Sequence, residues 1–409
     1  MLNDSIASVA TKDAAAPPEP QVAGVPRPVF LFGIVSLFTD ISSEMIYPLT
    51  PLFLTAVVGA PVAAVGIIEG VAESTASLSK TISGWLSDRW LVRKPLIIAG
   101  YALSAVAKPL LGASTVWPAA LGARFTDRLG KGVRSPPRDA LMGDVAEKGK
   151  RGRAFGFHRA MDSAGAVIGP ALGLGLFELL RHHYRPVFFI AFIPALIGVC
   201  MLFLVKEHKP KPRPGGEPSV PLRELGTPFY VFLGISLVFA LGNSSDAFLI
   251  LRSNNIGLTE AETVSAYVLY NAVYTAASFP AGILSDRVGR RNVIAPGFVI
   301  FGLVYLGFAA GGSVWAVWPL FAVYGLYIAA TDAVGKAFVV DFAPAAARAT
   351  ALGLYTGATG GMILASSVIA GVLWDEIGPS APFVFGAAMG FAAAALLFVM
   401  QRMPAGRAV

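Results

Sequence analysis

The side chains best able to do chemistry here are ionisable groups set inside long apolar runs. Asp40 and Glu44 lie four residues apart, which puts them on one face of a helix. Arg124, Asp127, Arg128, Lys131 and Arg134 recur at spacings of three and four, a single helical stripe. His158, Arg159 and Asp162 have helical spacing too, and Glu69, Glu73 and Lys80 form a third group. The second half is milder: Asn243 and Asp246, then Tyr327, Asp332 and Lys336, with Tyr267, Tyr270, Asn271 and Tyr274 along one face. A carboxylate beside a movable cation can take up and release a proton as that cation comes and goes. A tyrosine-lined wall can stack against an organic molecule. Two structural alternatives stand beside these roles. The charges could form a static ion-pair network holding helices together, and the tyrosines could be an interfacial belt.

The elements that must position these groups are membrane helices. Of the 409 residues, 55% are hydrophobic and only 14% charged, with a mean hydropathy of +0.65. Soluble domains carry about 25% charged residues, so most side chains here face something other than water. The 44 glycines suit closely packed membrane helices. Net charge is +7, but the basic residues sit in short clusters between apolar segments. That is a membrane pattern and argues against nucleic-acid binding. The single Cys200 excludes an intramolecular disulfide or cysteine metal cluster. The first residues lack a basic stretch followed by an apolar one, so they do not read as a cleaved signal peptide.

A bilayer-crossing helix needs about 20 apolar residues. Twelve such spans are expected, at 29–57, 62–86, 95–113, 116–140, 153–179, 186–205, 228–251, 263–284, 292–311, 314–339, 350–373 and 381–401. Buried charge leaves the fourth, fifth and tenth with the weakest apolar signal. The longest polar interruption, 206–227, contains Lys209-Pro210-Lys211-Pro212-Arg213. It divides the chain into a disordered tail (1–27), a six-helix bundle (28–205), a linker (206–227), a second six-helix bundle (228–402) and a short tail (403–409). Alternate loops hold Arg89, Arg93 and Lys94, then Arg138, Lys148, Lys150, Arg151 and Arg153, then the linker, then Arg287, Arg290 and Arg291. The opposite loops are nearly free of Lys and Arg, so both termini are expected on the cytoplasmic side.

The halves repeat. Thr126-Asp127-Arg128-Leu129-Gly130-Lys131 resembles Thr331-Asp332-Ala333-Val334-Gly335-Lys336, Ser42-Ser43-Glu44 resembles Ser244-Ser245-Asp246, and Gly84 through Asp88 resembles Gly282 through Asp286. On this pairing Asp246 stands where Glu44 stands in the first half.

Gly282-Ile283-Leu284-Ser285-Asp286-Arg287-Val288-Gly289-Arg290-Arg291 matches the Gly-x-x-x-Asp-Arg-x-Gly-Arg-Arg signature of the major facilitator superfamily. A degraded copy, Gly84-Trp85-Leu86-Ser87-Asp88-Arg89, follows span 2, with one extra residue and no second glycine. Gly165, Gly169, Pro170 and Gly173 in span 5 resemble the motif of the family's antiporters, although they also serve as a simple close-packing motif. Tyr47-Pro48-Leu49-Thr50-Pro51 resembles the paired prolines of twelve-helix drug–proton antiporters. Arg128-Leu129-Gly130-Lys131-Gly132 is similar to the family's Arg-x-x-Gln-Gly motif, with lysine for glutamine and Arg134 where glycine is usual.

The resemblance implies an all-α membrane protein of twelve helices in two pseudo-symmetric bundles. It implies a monomeric, proton-coupled secondary transporter working by alternating access on a small molecule, not an enzyme and without cofactor. The expected direction is export by antiport, with import of an anionic metabolite or chelate by symport as the alternative. Asp88 and Asp286, with Arg89, Arg287, Arg290 and Arg291, would latch the halves in the outward-open state. Arg124, Asp127, Arg128, Lys131, Arg134, Asp162, Asn243, Tyr270, Tyr274, Tyr327 and Asp332 would line the cavity. Glu44, Asp40 and Asp246 are the expected proton carriers, Glu44 first because of its repeat mate. Glu69, Glu73 and Lys80 fit a structural network equally well. With four histidines, two of them in a loop, no dedicated transition-metal site is expected. The lipid bilayer and protons are the expected partners, in a bacterial inner membrane.

Overall fold

The computed structural model describes residues 21–90, 93–146, 151–205, 225–344 and 347–400. The tail residues 1–20 and 401–409, and 206–224 of the expected linker, lie outside the described residues. Fourteen helices run through the remainder. They make twelve rods, because two spans are broken near their middle. Span 1 is α1 (Arg27–Ile46) followed by α2 (Thr50–Ala56). The break falls at Tyr47-Pro48, where proline lacks the N–H a helix interior needs, and Pro51 then sits in the first turn of α2. Span 7 is α8 (Gly226–Gly242) followed by α9 (Ala247–Ile256), broken at Asn243–Asp246. Spans 2 to 6 are α3 (Val62–Trp90), α4 (Lys94–Ala113), α5 (Trp117–Val145), α6 (Arg151–Leu179) and α7 (Tyr184–Leu202). Spans 8 to 12 are α10 (Glu260–Val288), α11 (Arg291–Ala310), α12 (Val314–Phe342), α13 (Arg348–Glu376) and α14 (Ala381–Met400).

Local sequence sets several of these boundaries. Thr259 and Glu262 form a reciprocal capping box at the start of α10: Thr259 Oγ1 accepts from the Glu262 amide and the Glu262 carboxylate accepts from the Thr259 amide. Gly257, with φ +119°, ends α9 in a conformation that only glycine adopts cheaply. Residues 21–26 depart from the expected disordered tail. Gln21–Val22 pairs antiparallel with Val25–Pro26, Ala23 and Gly24 make the turn with positive φ, and Val25 is buried against the first helix.

Ten of the spans are long and apolar enough to cross a membrane by composition alone. The two that fall short are α5 and α10. The fourth span was expected to be weak; the fifth and tenth meet the criterion and the eighth does not. Its acids Glu260 and Glu262, its polar face and Asp286-Arg287 dilute the apolar character that tertiary packing makes unnecessary.

The helix boundaries also correct the register of the repeat. Helix starts at Thr50 and Ala247, Lys94 and Arg291, Trp117 and Val314, Arg151 and Arg348, and Tyr184 and Ala381 are each 197 residues apart. The Gly84 and Gly282 segments obey this register to within one residue. The other two sequence matches do not. Asp332 lies 205 residues after Asp127, eight beyond the structural register, about 12 Å along a helix. Asp246 corresponds to Leu49 rather than to Glu44. Short likeness between polar clusters was a poorer guide than helix length.

Within the first half α6 crosses α1 through its glycines. A Cβ on Gly165 would meet Asp40 Cβ at 2.7 Å, one on Gly169 would meet Glu44 Cβ at 2.8 Å, and one on Gly173 would meet the Met45 carbonyl oxygen at 2.2 Å. Between the halves, α3 and α13 touch from the end opposite the basic loops to their middle. Asp375 accepts hydrogen bonds from the Val62 and Ala63 amides at 3.3 and 2.8 Å. Gly66 lies against the Ser367 carbonyl, and Ser74 Oγ donates to the Gly360 carbonyl at 2.9 Å. Past Ser77 and Gly360 the helices part, and a Cβ on Gly357 or Gly353 would meet nothing within 4 Å. The halves are therefore joined at one end and open at the end bearing Arg93, Lys94 and Arg290.

Candidate functional site

The open end leads into two adjoining cavities between the halves, of about 520 and 550 Å³. Lys80 borders both. The first is walled mainly by the second half: Asn243, Asp246, Tyr327, Asp332 and Lys336, with Phe232, Phe239, Phe298 and Tyr355 as its apolar face. The second is walled mainly by the first half: Asp40, Glu44, Lys131, Arg134, Arg138 and Asp162, with Arg159 and Tyr274.

Breaking span 7 at Asn243–Asp246 sets Asp246 at the head of α9, where it meets two tyrosines. Tyr324 donates to one oxygen at 2.7 Å and Tyr270 to the other at 3.3 Å. Tyr267 donates to Glu44 at 3.2 Å, and Tyr274 donates to Asp332 at 3.4 Å. The polar face of α10 thus presents three hydroxyls to three acids on three different helices. One of these contacts, Tyr267 to Glu44, crosses between the halves, with the Tyr47 ring 5.6 Å from that of Tyr267. Neither Glu44 nor Asp246 has a cation within 4.0 Å among the described residues. Their charge is not committed to an ion pair. Asp40 lines the same cavity, also without a salt bridge among the described residues.

The basic stripe on span 4 does not act as one unit. Arg124 is 3% exposed and turns away from both cavities into a two-pronged pair with Glu69, at 2.7 Å to each oxygen. Asp127 bridges Lys108, at 3.3 Å, and Arg124, at 3.7 Å. Arg128 pairs with Glu73 at 3.1 Å. Arg134 stacks on Tyr101 at 4.3 Å and donates to Ser104. Lys131 alone of the stripe reaches the cavity without a hydrogen-bond or ion-pair partner on its ammonium among the described residues. The expected cavity residues thus separate into two sets. Lys131, Arg134, Asp162, Asn243, Tyr274, Tyr327 and Asp332 line the space. Arg124, Asp127 and Arg128 are packed into a buried network, while Tyr270 stands behind Asp246 as its donor. Asp162 accepts from Ser36 at 2.5 Å and faces His158.

Sequence reasoning missed Lys108, Tyr324 and Asp375. A lone lysine in the apolar run of α4 was a readable signal for Lys108. Tyr324 stands one turn before Tyr327, and only the fold brings it to Asp246. Asp375 is invisible in sequence because its partners are backbone amides of the other half.

At the open end the signature residues keep to their own halves. Arg290 contacts Asp286 at 2.5 Å, Asp341 at 3.5 Å and Ser285 at 2.7 Å. Arg93 pairs with Asp144 in the same way in the first half, each partner shifted by the 197-residue register. Gly289, with φ +92°, makes the turn into α11. Arg89 lies over the Trp85 ring. Gly282 has open space where a Cβ would be, and Gly84 meets only Pro136, at 3.5 Å. Arg287 and Arg291 make no salt bridge among the described residues, and the side chain of Asp88 lies outside the description.

Comparison with known proteins gives one family. The Major Facilitator Superfamily model matches residues 32–251 and 231–408. An uncharacterised MFS-type transporter of Methanocaldococcus jannaschii is 35% identical over 378 residues, 90% of this chain and 94% of that protein. An uncharacterised protein of Mycobacterium tuberculosis is 28% identical over 361 residues, 85% and 87% of the two chains. Among solved structures, the nucleoside transporter NupG superposes with a TM-score of 0.78 at 13% identity, over 92% of this chain and 100% of its own. A POT family transporter in complex with 5-aminolevulinic acid gives 0.79 at 13% identity, over 94% and 97%.

Proposed function

The chain belongs to the major facilitator superfamily as a membrane transporter, and on that premise we propose that it is a proton-coupled carrier of a small organic molecule. One observation carries the proposal. Glu44 and Asp246, from opposite halves, flank the place where the halves meet, and among the described residues their carboxylates are held by tyrosine hydroxyls alone. A carboxylate tied to an arginine is locked in one charge state. One held by a neutral hydroxyl can change its protonation when rocking of the halves changes its access to water. Asp40, one turn from Glu44 and facing the same cavity, is the third proton carrier.

The cavities open at the basic end, and the excess of Lys and Arg there supports a cytoplasmic position for it; a bacterial inner membrane is the proposed location. The conformation is then inward-open, with no contact across the halves made by the signature side chains among the described residues. Export by antiport is the first reading, supported by the Gly165, Gly169, Gly173 and Pro170 crossing that fixes the Asp40–Glu44 face and by the paired prolines that break span 1. Import of an anionic metabolite or chelate by symport is the second, favoured by the unpartnered ammonium of Lys131.

The test is substrate-dependent proton flux in liposomes holding a pH-sensitive dye, with organic cations, anions and zwitterions as substrates. Flux opposed to substrate, lost in Glu44→Gln or Asp246→Asn, is the expected result. Flux alongside an anion selects symport. Full coupled transport by both variants overturns the assignment of the carriers.

A further inference from the structure

Six cations border the two cavities, Lys80 bordering both, and all but two of them are committed. Lys336 pairs with Asp332 at 2.5 Å, Arg138 with Asp139 at 2.9 Å, Arg134 with Ser104 and the Tyr101 ring, and Arg159 with Tyr274. Lys80 and Lys131 have no hydrogen-bond or ion-pair partner on their ammonium groups among the described residues. They come from one tight crossing. A Cβ on Gly132 would lie 2.4 Å from Ser79 Cβ and 3.3 Å from the Lys80 amide nitrogen, so α3 and α5 touch where the two lysines leave their helices. The acids around them are engaged elsewhere or beyond 4.0 Å: Glu73 is paired with Arg128, Glu44 with Tyr267, and Asp40, which lines the same cavity from span 1, makes no salt bridge among the described residues.

From this geometry we infer that Lys80 and Lys131 form an anion subsite at the junction of the two cavities, which takes the carboxylate, phosphate or phosphonate of the transported molecule. The inference rests on the carrier reading and names its substrate class; it is independent of direction. Two ammoniums carried from adjoining helix positions into one cleft repel each other, and an anion taken between them relieves that repulsion as well as pairing with both. The rest of the substrate lies in the first cavity, where Phe239 and Phe298 stack at 4.1 Å and Tyr327 closes on Phe239 at 5.8 Å. That wall suits a ring-sized apolar body. Arg124 and Arg128, prominent in the sequence, take no part, because Glu69 and Glu73 already occupy them.

The test is ligand protection against thermal unfolding of the detergent-purified full chain, with phenyl phosphate, benzyl alcohol and benzylammonium as probes matched in ring and differing in charge. Phenyl phosphate is expected to protect the wild type and the other two are not. Lys80→Met and Lys131→Met each weaken its apparent affinity about tenfold to a hundredfold, which is about 1.4 to 2.8 kcal/mol at 1.4 kcal/mol per decade. Lys131→Arg keeps most of the affinity. Lys94→Met, which removes a lysine that borders neither cavity and donates to the Phe203 carbonyl, leaves it within about twofold. Equal or better protection by benzylammonium overturns the inference, as does absence of protection by phenyl phosphate. So does undiminished protection in the two methionine variants, which would make Lys80 and Lys131 solvated counter-charges of Asp40 and Glu44. A variant that fails to fold leaves the wild-type discrimination between the three probes as the deciding result. No proton gradient is present, so failure of proton coupling in the liposome assay and failure of the anion subsite are separately visible.

Discussion

Gly66→Ala should unseat the closed end of the molecule. The added methyl would sit 2.2 Å from the Ser367 carbonyl oxygen and 3.1 Å from its carbon, both backbone atoms of the opposite half. Neither can swing aside as a side chain would. Ordinary contact is about 3.5 Å, so α3 and α13 must part by about 1 Å just where Ser245 N meets Ser367 Oγ and Asp375 holds the α3 amides. Overpacking of this kind costs about 1–3 kcal/mol, and it falls only on the conformation in which these helices touch. The ratio of this conformation to one open at the other end should drop about 5- to 150-fold. Spin labels at Val57, which ends span 1, and Ile377, which follows α13, report the separation of the halves there. Both sites are exposed, at 44% and 73%, and the single Cys200 is removed first as Cys200→Ser. Double electron–electron resonance should show a longer Val57–Ile377 distance in Gly66→Ala. Gly122→Ala, where a Cβ meets nothing within 4 Å, should match the parent. A distance distribution in Gly66→Ala indistinguishable from that control would refute the idea that this contact closes the end opposite the basic loops.

Two further perturbations follow from the same contacts. Arg124→Ala strands Glu69, whose side chain is 2% exposed, and should cost about 3–5 kcal/mol of stability; the paired change Arg124→Met with Glu69→Leu should recover most of the lost thermal stability in detergent, since Asp127 keeps Lys108. Asp375→Asn weakens a carboxylate contact with exposed helix-end amides, worth about 0.3–1 kcal/mol; the Val57–Ile377 distance should shift in the same sense as in Gly66→Ala and by less, and no shift would mean the contact is incidental.

Much of this architecture was legible in one dimension. Twelve rods in two halves follow from where apolar runs stop, because a bilayer demands about 20 consecutive apolar residues wherever a helix crosses it. The pair of signature loops was equally readable, since Gly84–Asp88 and Gly282–Asp286 obey the structural register. The acids that border the cavities were named because charge in such runs is rare. What the charges do was another matter. Asp40, Glu44, Arg124, Arg128 and Lys131 look alike in sequence, as polar residues at helical spacing. Only the packed bundle sends Arg124 to Glu69 and Arg128 to Glu73, leaves the Lys131 ammonium without a partner among the described residues, and brings tyrosines of span 8 and span 10 to Glu44 and Asp246. The repeat shows the same division. Matching polar clusters made Glu44 and Asp246 mates, whereas helix boundaries pair Asp246 with Leu49. Hydrophobic length is a local property that each segment carries by itself. Ion pairing and hydrogen bonding join residues 55 and 223 positions apart, and they are settled by which helix faces meet, how closely glycines let them approach, and which conformation the two halves adopt.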